Sequence, residues 1–316
     1  MTDRTEPCLV TPPSEPETVE LLPDDPFRST PNAESAYSTL PLTGPHAVGV
    51  GHALITMVEP HEGHARTYNR WYEDYHFFDG AMHMPWMYSG RRWVATHDLQ
   101  QLRYPNPSPV ADPISRGKYL GTYWVTKDRL VDHRDWAAAT NARNRAIGNI
   151  DPNRSHVYTA WHDTVGVVYR GDDVPPARFA LIDPSPGLVL QVIDAPEPGQ
   201  RDDLQKWLLD EYVPSKVTSD GNVSQAVVFQ VQAPSEYAHS RQVYADLMKV
   251  ANGGRRLAIL WFLTEDPRDI WESDFSNEIE QVRAGGKGET VFVAPFIPSK
   301  MGTDTYVDQL YAPTDE

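Results

Sequence analysis

Five residues of one short segment, Tyr68, Trp71, Tyr72, Tyr75 and His76, recur at i, i+3, i+4, i+7 and i+8. On a helix that spacing gathers three phenols, an indole and an imidazole onto one stripe. An imidazole titrates near neutrality and can both take and give a proton, and a phenol can donate to an oxygen on which charge develops. A second pair, Tyr119 and Tyr123, falls on one face of a strand by its even spacing. An aromatic stripe at helical spacing is ordinarily core, but buried hydroxyls and imidazoles need hydrogen-bond partners, and a bound ligand or water can supply them. We therefore take His76, Tyr72 and Tyr123 as candidate catalytic residues and Tyr68 and Tyr119 as candidate substrate contacts. His83 and Trp86, in an apolar loop with three methionines, are candidates to close over a flat ligand. Arg91 and Arg92 open a strand and point to opposite faces, so one of them can meet a carboxylate or enolate oxygen.

The elements that must position these residues occur twice. From Val48 the pattern reads strand 48–58, helix 62–77, strand 91–96, strand 118–125, helix 129–147 and strand 156–161, extended by 164–169. After a loop it reads strand 187–193, helix 201–213, strand 225–231, an inserted helix 235–250, strand 256–263, helix 267–283 and strand 290–296. Setting Trp71 on Trp207 aligns Tyr72 with Leu208, Asp74 with Asp210 and His76 with Tyr212 without a gap. Each copy is β-α-β-β-α-β, the ferredoxin-like unit, whose four-stranded antiparallel sheet carries its helices on one face. The strands are apolar on both faces, as in Leu257 to Leu263, so the open faces must pack on each other. The expected fold is α+β, two ferredoxin-like repeats packed sheet to sheet as one fused α/β barrel. Where the first copy has Tyr68, Tyr72, Tyr75, His76, Tyr119 and Tyr123, the second has Leu204, Leu208, Glu211, Tyr212, Leu257 and Trp261. The first repeat is thus expected to hold the pocket and the second to serve as scaffold.

The run Trp71-Tyr72-Glu73-Asp74-Tyr75-His76 and the duplicated order together resemble the dimeric α/β-barrel superfamily, in particular its EthD-like branch and tandem forms with two units in one chain. The Pro that often follows the His in that family is replaced by Phe77-Phe78-Asp79, and its Pro-Gly before the second strand by Tyr88-Ser89-Gly90. The resemblance implies an enzyme without a cofactor that performs proton transfer, as an isomerase, cyclase, decarboxylase or C–C lyase, on a hydrophobic, oxygenated, aromatic or polyketide-like small molecule. Some members of the superfamily bind haem through a histidine, which makes a haem-dependent dehydratase or peroxidase-like enzyme the alternative, with His133, His156 or His162 as ligand. A non-catalytic small-molecule binding protein is the third reading.

Composition narrows the rest. The chain carries 44 acidic against 28 basic residues, a formal charge of −16, and has no run of Lys and Arg suited to a phosphate backbone, so a nucleic-acid partner is not expected. The lone Cys8 can form neither an intrachain disulfide nor a thiolate cage, which suits a reducing, cytoplasmic setting. No apolar run is long enough for a membrane span. His61 and His64 have ligand spacing but no third partner fixed by sequence, so no metal is expected; Walker, dinucleotide and Gly-x-Ser-x-Gly patterns are absent. The division is a tail at 1–46 with nine prolines and eight acids, the first repeat at 47–170, a linker at 171–186, the second repeat at 187–297 and a C-terminal tail at 298–316. Internal duplication satisfies the interface that would otherwise require a dimer, so both monomer and homodimer are open.

Overall fold

The computed structural model describes residues 48–83, 85–183, 185–232, 245 and 248–312. The N-terminal tail and most of the inserted helix 235–250 lie outside them. Eight strands among the described residues, all paired antiparallel, close into one barrel in the order β1-β3-β2-β8-β5-β7-β6-β4.

The elements in chain order are β1 (Val50–Pro60), α1 (Ala65–Trp71), β2 (Met87–Val94), α2 (His97–Gln101), β3 (Tyr119–Thr126), α3 (Leu130–Ala146) and β4 (Arg154–Tyr169). They continue with β5 (Gly187–Asp194), α4 (Arg201–Trp207), α5 (Val213–Lys216), β6 (Val223–Val231), β7 (Arg256–Leu263), α6 (Pro267–Asp274), α7 (Glu278–Gly285) and β8 (Glu289–Pro298). Within the barrel β4-β1-β3-β2 and β8-β5-β7-β6 are two ferredoxin-like sheets. They are joined along β4–β6, where the pairing runs from His162↔Val231 to Tyr169↔Gln225, and by a short seam at Trp93↔Pro298 and Val94↔Ile297.

Alternation along each strand sends one set of side chains inward and the other beneath the helices. The inward set is Trp93, Trp124, Phe229, Phe262, Phe292 and Phe296 with aliphatic neighbours, all at most 1 % exposed. Burying rings of that size contributes about 1.5–3 kcal/mol each. The two indole N–H groups find acceptors, Trp93 on Thr122 Oγ1 at 2.9 Å and Trp124 on the Ala177 carbonyl at 3.0 Å.

The helices depart from simple α geometry at matching places. α1 runs into a π-helical turn at Tyr72–His76, and α4 runs into one at Leu208–Tyr212, the same 136-residue offset that aligns the two copies. Trp71 stacks on His76 with centroids 4.3 Å apart, and Trp207 stacks on Tyr212 at 5.2 Å. The repeat is therefore carried into side-chain packing as well as element order.

Some elements differ from expectation. The helix expected at 267–283 is two helices: Asp266 caps α6 by accepting from Arg268 N at 2.9 Å, and its end is fixed where Lys216 Nζ takes the Asp274 carbonyl at 2.5 Å and the Tyr104 hydroxyl donates to the Phe275 carbonyl. Side-chain capture of those terminal carbonyls stops the ladder before α7 begins. The second strand begins at Met87, ahead of the expected Arg91, because β3 pairs with it from Val125 onward.

Candidate functional site

Between the outer face of β1, β3 and β4 and the helices α1 and α3 lies a cavity of about 290 Å³. Its floor comes from outward positions of the strands, Leu54, Thr56 and Val58, Tyr123, and His156, Thr159 and Trp161. Tyr68, Tyr72, His76, Gly80 and Ala81 wall it from the α1 side, and Ala137, Asn141 and Arg145 from α3. Ile150 and Arg154 complete the rim. A groove of about 440 Å³ along α3 shares Ala137, Asn141, Arg145 and Trp161 with it.

The Tyr72 and Tyr123 hydroxyls are bonded to each other, one donating and the other accepting. Gly121 makes room for this pair: a Cβ there would stand 3.0 Å from both the Tyr72 hydroxyl and the Tyr123 ring. Burial pushes both phenols above their ordinary pKa, against the opposing pull of Arg92, so both are neutral donors at neutral pH.

His76 rests flat on Trp71 and edge-on to Tyr72. Its Nδ1 is buried without a hydrogen-bond partner. Burial, then the charges of Arg154 and His156, hold its pKa down to about 3 while Asp79 opposes them, so the ring is a neutral acceptor at physiological pH. Gly80 is required beside it, because a Cβ there would come within 2.3 Å of the imidazole. His156 bonds Thr159 Oγ1 through Nδ1 at 2.8 Å and is likewise held below its ordinary value, first by desolvation, then by Arg154 and Arg145.

Of the sequence candidates, Tyr68, Tyr72, His76 and Tyr123 meet in this cavity. Tyr119 and Arg92 stand one layer behind. Arg92 is fully buried, its guanidinium 3.8 Å from the Tyr119 ring centroid, 4.3 Å from Tyr72 and 5.4 Å from Tyr68, and it is paired with Glu73 at 2.8 Å and Asn69 at 2.5 Å. It braces the tyrosines and does not line the cavity. Arg91 points the other way, over Trp93, and donates to the Asp183 carbonyl at 2.5 Å. His83 is exposed beside Phe78, and Trp86 packs under Arg129 in the satellite cluster around Val125; neither borders the cavity.

Tyr75 leaves the expected stripe. The wide turn after Trp71 carries it outward, where it donates to Asp79 at 2.9 Å and accepts from Asn149 at 2.7 Å. Sequence reasoning missed Arg145 and Arg154 as cavity residues and weighed His156 only as a haem ligand. The signal was strand alternation: Arg154 and His156 share the outward face at the start of β4, and a bulge opposite Met57 and Val58 then hands that face to Thr159 and Trp161.

The helix–sheet space of the second repeat also holds polar groups. Tyr212 donates to Glu278, Lys216 Nζ pairs with Glu278 at 2.6 Å, and Gln191 bonds Tyr212 at 2.9 Å and accepts from Trp261 Nε1 at 3.0 Å. What separates the halves is satisfaction of polar groups: these polar side chains answer one another, whereas His76 in the first repeat faces a hollow.

Among the described residues, none of the three histidines expected as haem ligands meets a space of haem size. His162 is inside the barrel, its Nε2 2.7 Å from the Tyr158 hydroxyl; His133 Nδ1 donates to the Pro85 carbonyl at 2.8 Å with its ring edge-on to Trp161. Only His156 of the three borders the cavity, and that space, bordered by the bonded tyrosines, is too small for a flat tetrapyrrole with an axial imidazole. Among the described residues no cluster of three or more His, Cys, Asp or Glu could hold a metal ion, and no helix is long and apolar enough to cross a membrane.

No protein-family description matches the chain, and no curated protein is similar to it. Solved structures are similar to the chain at low identity and low TM-score. An anthrone oxidase-like protein is 8 % identical with a TM-score of 0.40, over 81 % of this chain and 96 % of that one. The encapsulated DyP-type peroxidase from Mycobacterium smegmatis is 11 % identical with a TM-score of 0.42, over 86 % and 97 %. A variant of DypB from Rhodococcus jostii RHA1 in complex with heme is 9 % identical with a TM-score of 0.44, over 79 % and 93 %. At such identities and scores their chemistry stays theirs. The fused α+β barrel of two ferredoxin-like units rests on the strand order itself.

Proposed function

We propose that this chain is an enzyme that moves a proton on a hydrophobic, oxygenated small molecule in the first-repeat cavity, without a resident cofactor. The observation that carries this reading is the meeting of a hydrogen-bonded pair of neutral phenols with a neutral imidazole on the lining of one cavity. Environments that push titrating groups apart assign their roles. His76 takes the proton from carbon next to a carbonyl, and the electron pair moves onto the carbonyl oxygen. The phenol proton not used within the Tyr72–Tyr123 bond is donated to that oxygen. Return of the proton at another carbon completes an isomerisation; cyclisation and decarboxylation share the same enolate. Arg92 acts through the tyrosines, fixing their rings and favouring negative charge near their oxygens.

Deuterium exchange into a benzo-fused ketone tests this directly. With 2-tetralone in D₂O followed by NMR, the wild-type protein is expected to accelerate exchange at the carbons flanking the carbonyl. His76→Gln should lower that acceleration by ~10²–10⁴-fold, with its circular dichroism unchanged. Exchange no faster than in buffer, or equal for the two proteins, rejects the mechanism. A Soret band in the purified protein would favour the haem reading instead.

A further inference from the structure

We infer that the compound this cavity takes carries its own negative charge and is an aryl carboxylate, its acid group held between the Arg145 and Arg154 guanidinium groups and its ring lying against Tyr72, Leu54 and Trp161. The inference deepens the proton-transfer reading and rests on it for the reaction, though the binding claim stands on the cavity alone.

The chain as a whole carries −16, yet among the described residues no carboxylate lines this cavity, while two arginines and two histidines do. Cations inside a negatively charged protein ordinarily pair with the surplus of acids. Neither Arg145 nor Arg154 makes an ion pair among the described residues, although sixteen such contacts occur elsewhere. Arg154 is held in place by donating to the Asp151 carbonyl and by resting 4.6 Å over the Trp71 ring, both of which leave its charge uncompensated; Asp151 and Tyr68 act on it only at longer range. Arg145 is close enough to disfavour the charge on Arg154. Two guanidinium groups that repel each other across the mouth of a cavity form a seat for a carboxylate, whose oxygens match their planar donors.

The remaining lining fits the other end of such a molecule. Leu54, Val58, Ala137 and Ile150 are apolar, Trp161 and the tyrosines are flat, and about 290 Å³ holds one or two fused rings. The charge also acts on the base. Besides burial, Arg154 and His156 hold the His76 imidazole down, with Asp79 opposing them. A carboxylate seated at the arginines offsets the Arg154 contribution, leaves burial in place, and so raises the basicity of the imidazole.

Calorimetry on the full chain with 2-naphthoate and its neutral counterpart 2-naphthamide tests the assignment. Naphthoate should bind at least about tenfold tighter than naphthamide, and Arg145→Gln should lower naphthoate affinity by about tenfold while leaving naphthamide unchanged. Arg145 is exposed, so the variant is expected to fold. Arg143→Gln, an exposed change on the same helix outside the cavity lining, should leave both affinities as they are. The His76 imidazole pKa, followed by NMR, should rise with naphthoate and not with naphthamide. Equal affinity for the two ligands, no binding of either at millimolar concentration, or an equal loss in the Arg143 and Arg145 variants would overturn the inference. Loss of charge selectivity with His76-dependent exchange intact would reject the carboxylate seat alone, and selective binding without exchange would reject the reaction alone.

Discussion

Replacing His162 with Gln changes how the stability of the barrel depends on pH. His162 lies inside the barrel with no exposed surface, its Nε2 2.7 Å from the Tyr158 hydroxyl and its Nδ1 without a partner. Burial holds its pKa down to about 4, with the Ala160 and Ala53 backbone and Asp163 opposing only in part. In the unfolded chain a histidine titrates at about 6.5. Between those values the unfolded state binds the extra proton, so stability is full above about pH 6.5 and is lost as pH falls toward 4. For one group with these constants the loss between pH 7.5 and pH 5 is about 2 kcal/mol, reaching about 3 kcal/mol at pH 4. Gln at this position can still accept from Tyr158 but does not titrate. Urea unfolding of both proteins across that range isolates the contribution, since His76, His133 and His156 remain in both. The wild type should lose about 2 kcal/mol more than His162→Gln between pH 7.5 and pH 5. Parallel curves would mean that the imidazole is already hydrated in the native state, and the packed interior inferred for the barrel would be wrong at this point.

Three other substitutions separate scaffold from site. Glu73→Gln leaves the Arg92 guanidinium buried without its counter-charge and should destabilise the protein by about 3–5 kcal/mol in urea unfolding. Gly80→Ala pushes a methyl into the His76 ring and should abolish ketone exchange while the fold survives, seen as native circular dichroism with exchange at the buffer rate. Tyr212→Phe removes a donor from the satisfied Glu278 network of the second repeat; it should lower stability by about 1–3 kcal/mol and leave naphthoate affinity unchanged in calorimetry.

The duplicated architecture was legible because it depends on period and order, which a chain displays openly: strands apolar on both faces demand a covered sheet, and two copies provide the cover. Tyr68, Tyr72 and His76 were placed on one face by the same logic. Tyr75 was not, because a π-helical turn alters the angular spacing without a residue that announces it. Arg92 illustrates a second limit. That it faces away from Arg91 followed from strand alternation, but Glu73 sits among exposed-looking helix positions, and only the packing of the first helix onto β2 reveals that the two charges neutralise each other beneath the tyrosines. Arg145 and Arg154 mark the converse: a basic residue in the last turn of a helix and another at a strand entry look like surface charge in sequence. Their proposed role comes from what is missing around them among the described residues, a set of acids that a chain so rich in acids would be expected to supply. Absence of a counter-charge is a property of a place in the fold and has no signature in the order of residues. The histidine tells the same story, for its neutral state follows first from burial and then from Arg154, which is distant in sequence and beside it in space. The proposed proton-transfer site would be tuned by the second half of its own repeat, so that the strand that closes the first sheet, β4, would be as much a part of the chemistry as the helix that carries the imidazole.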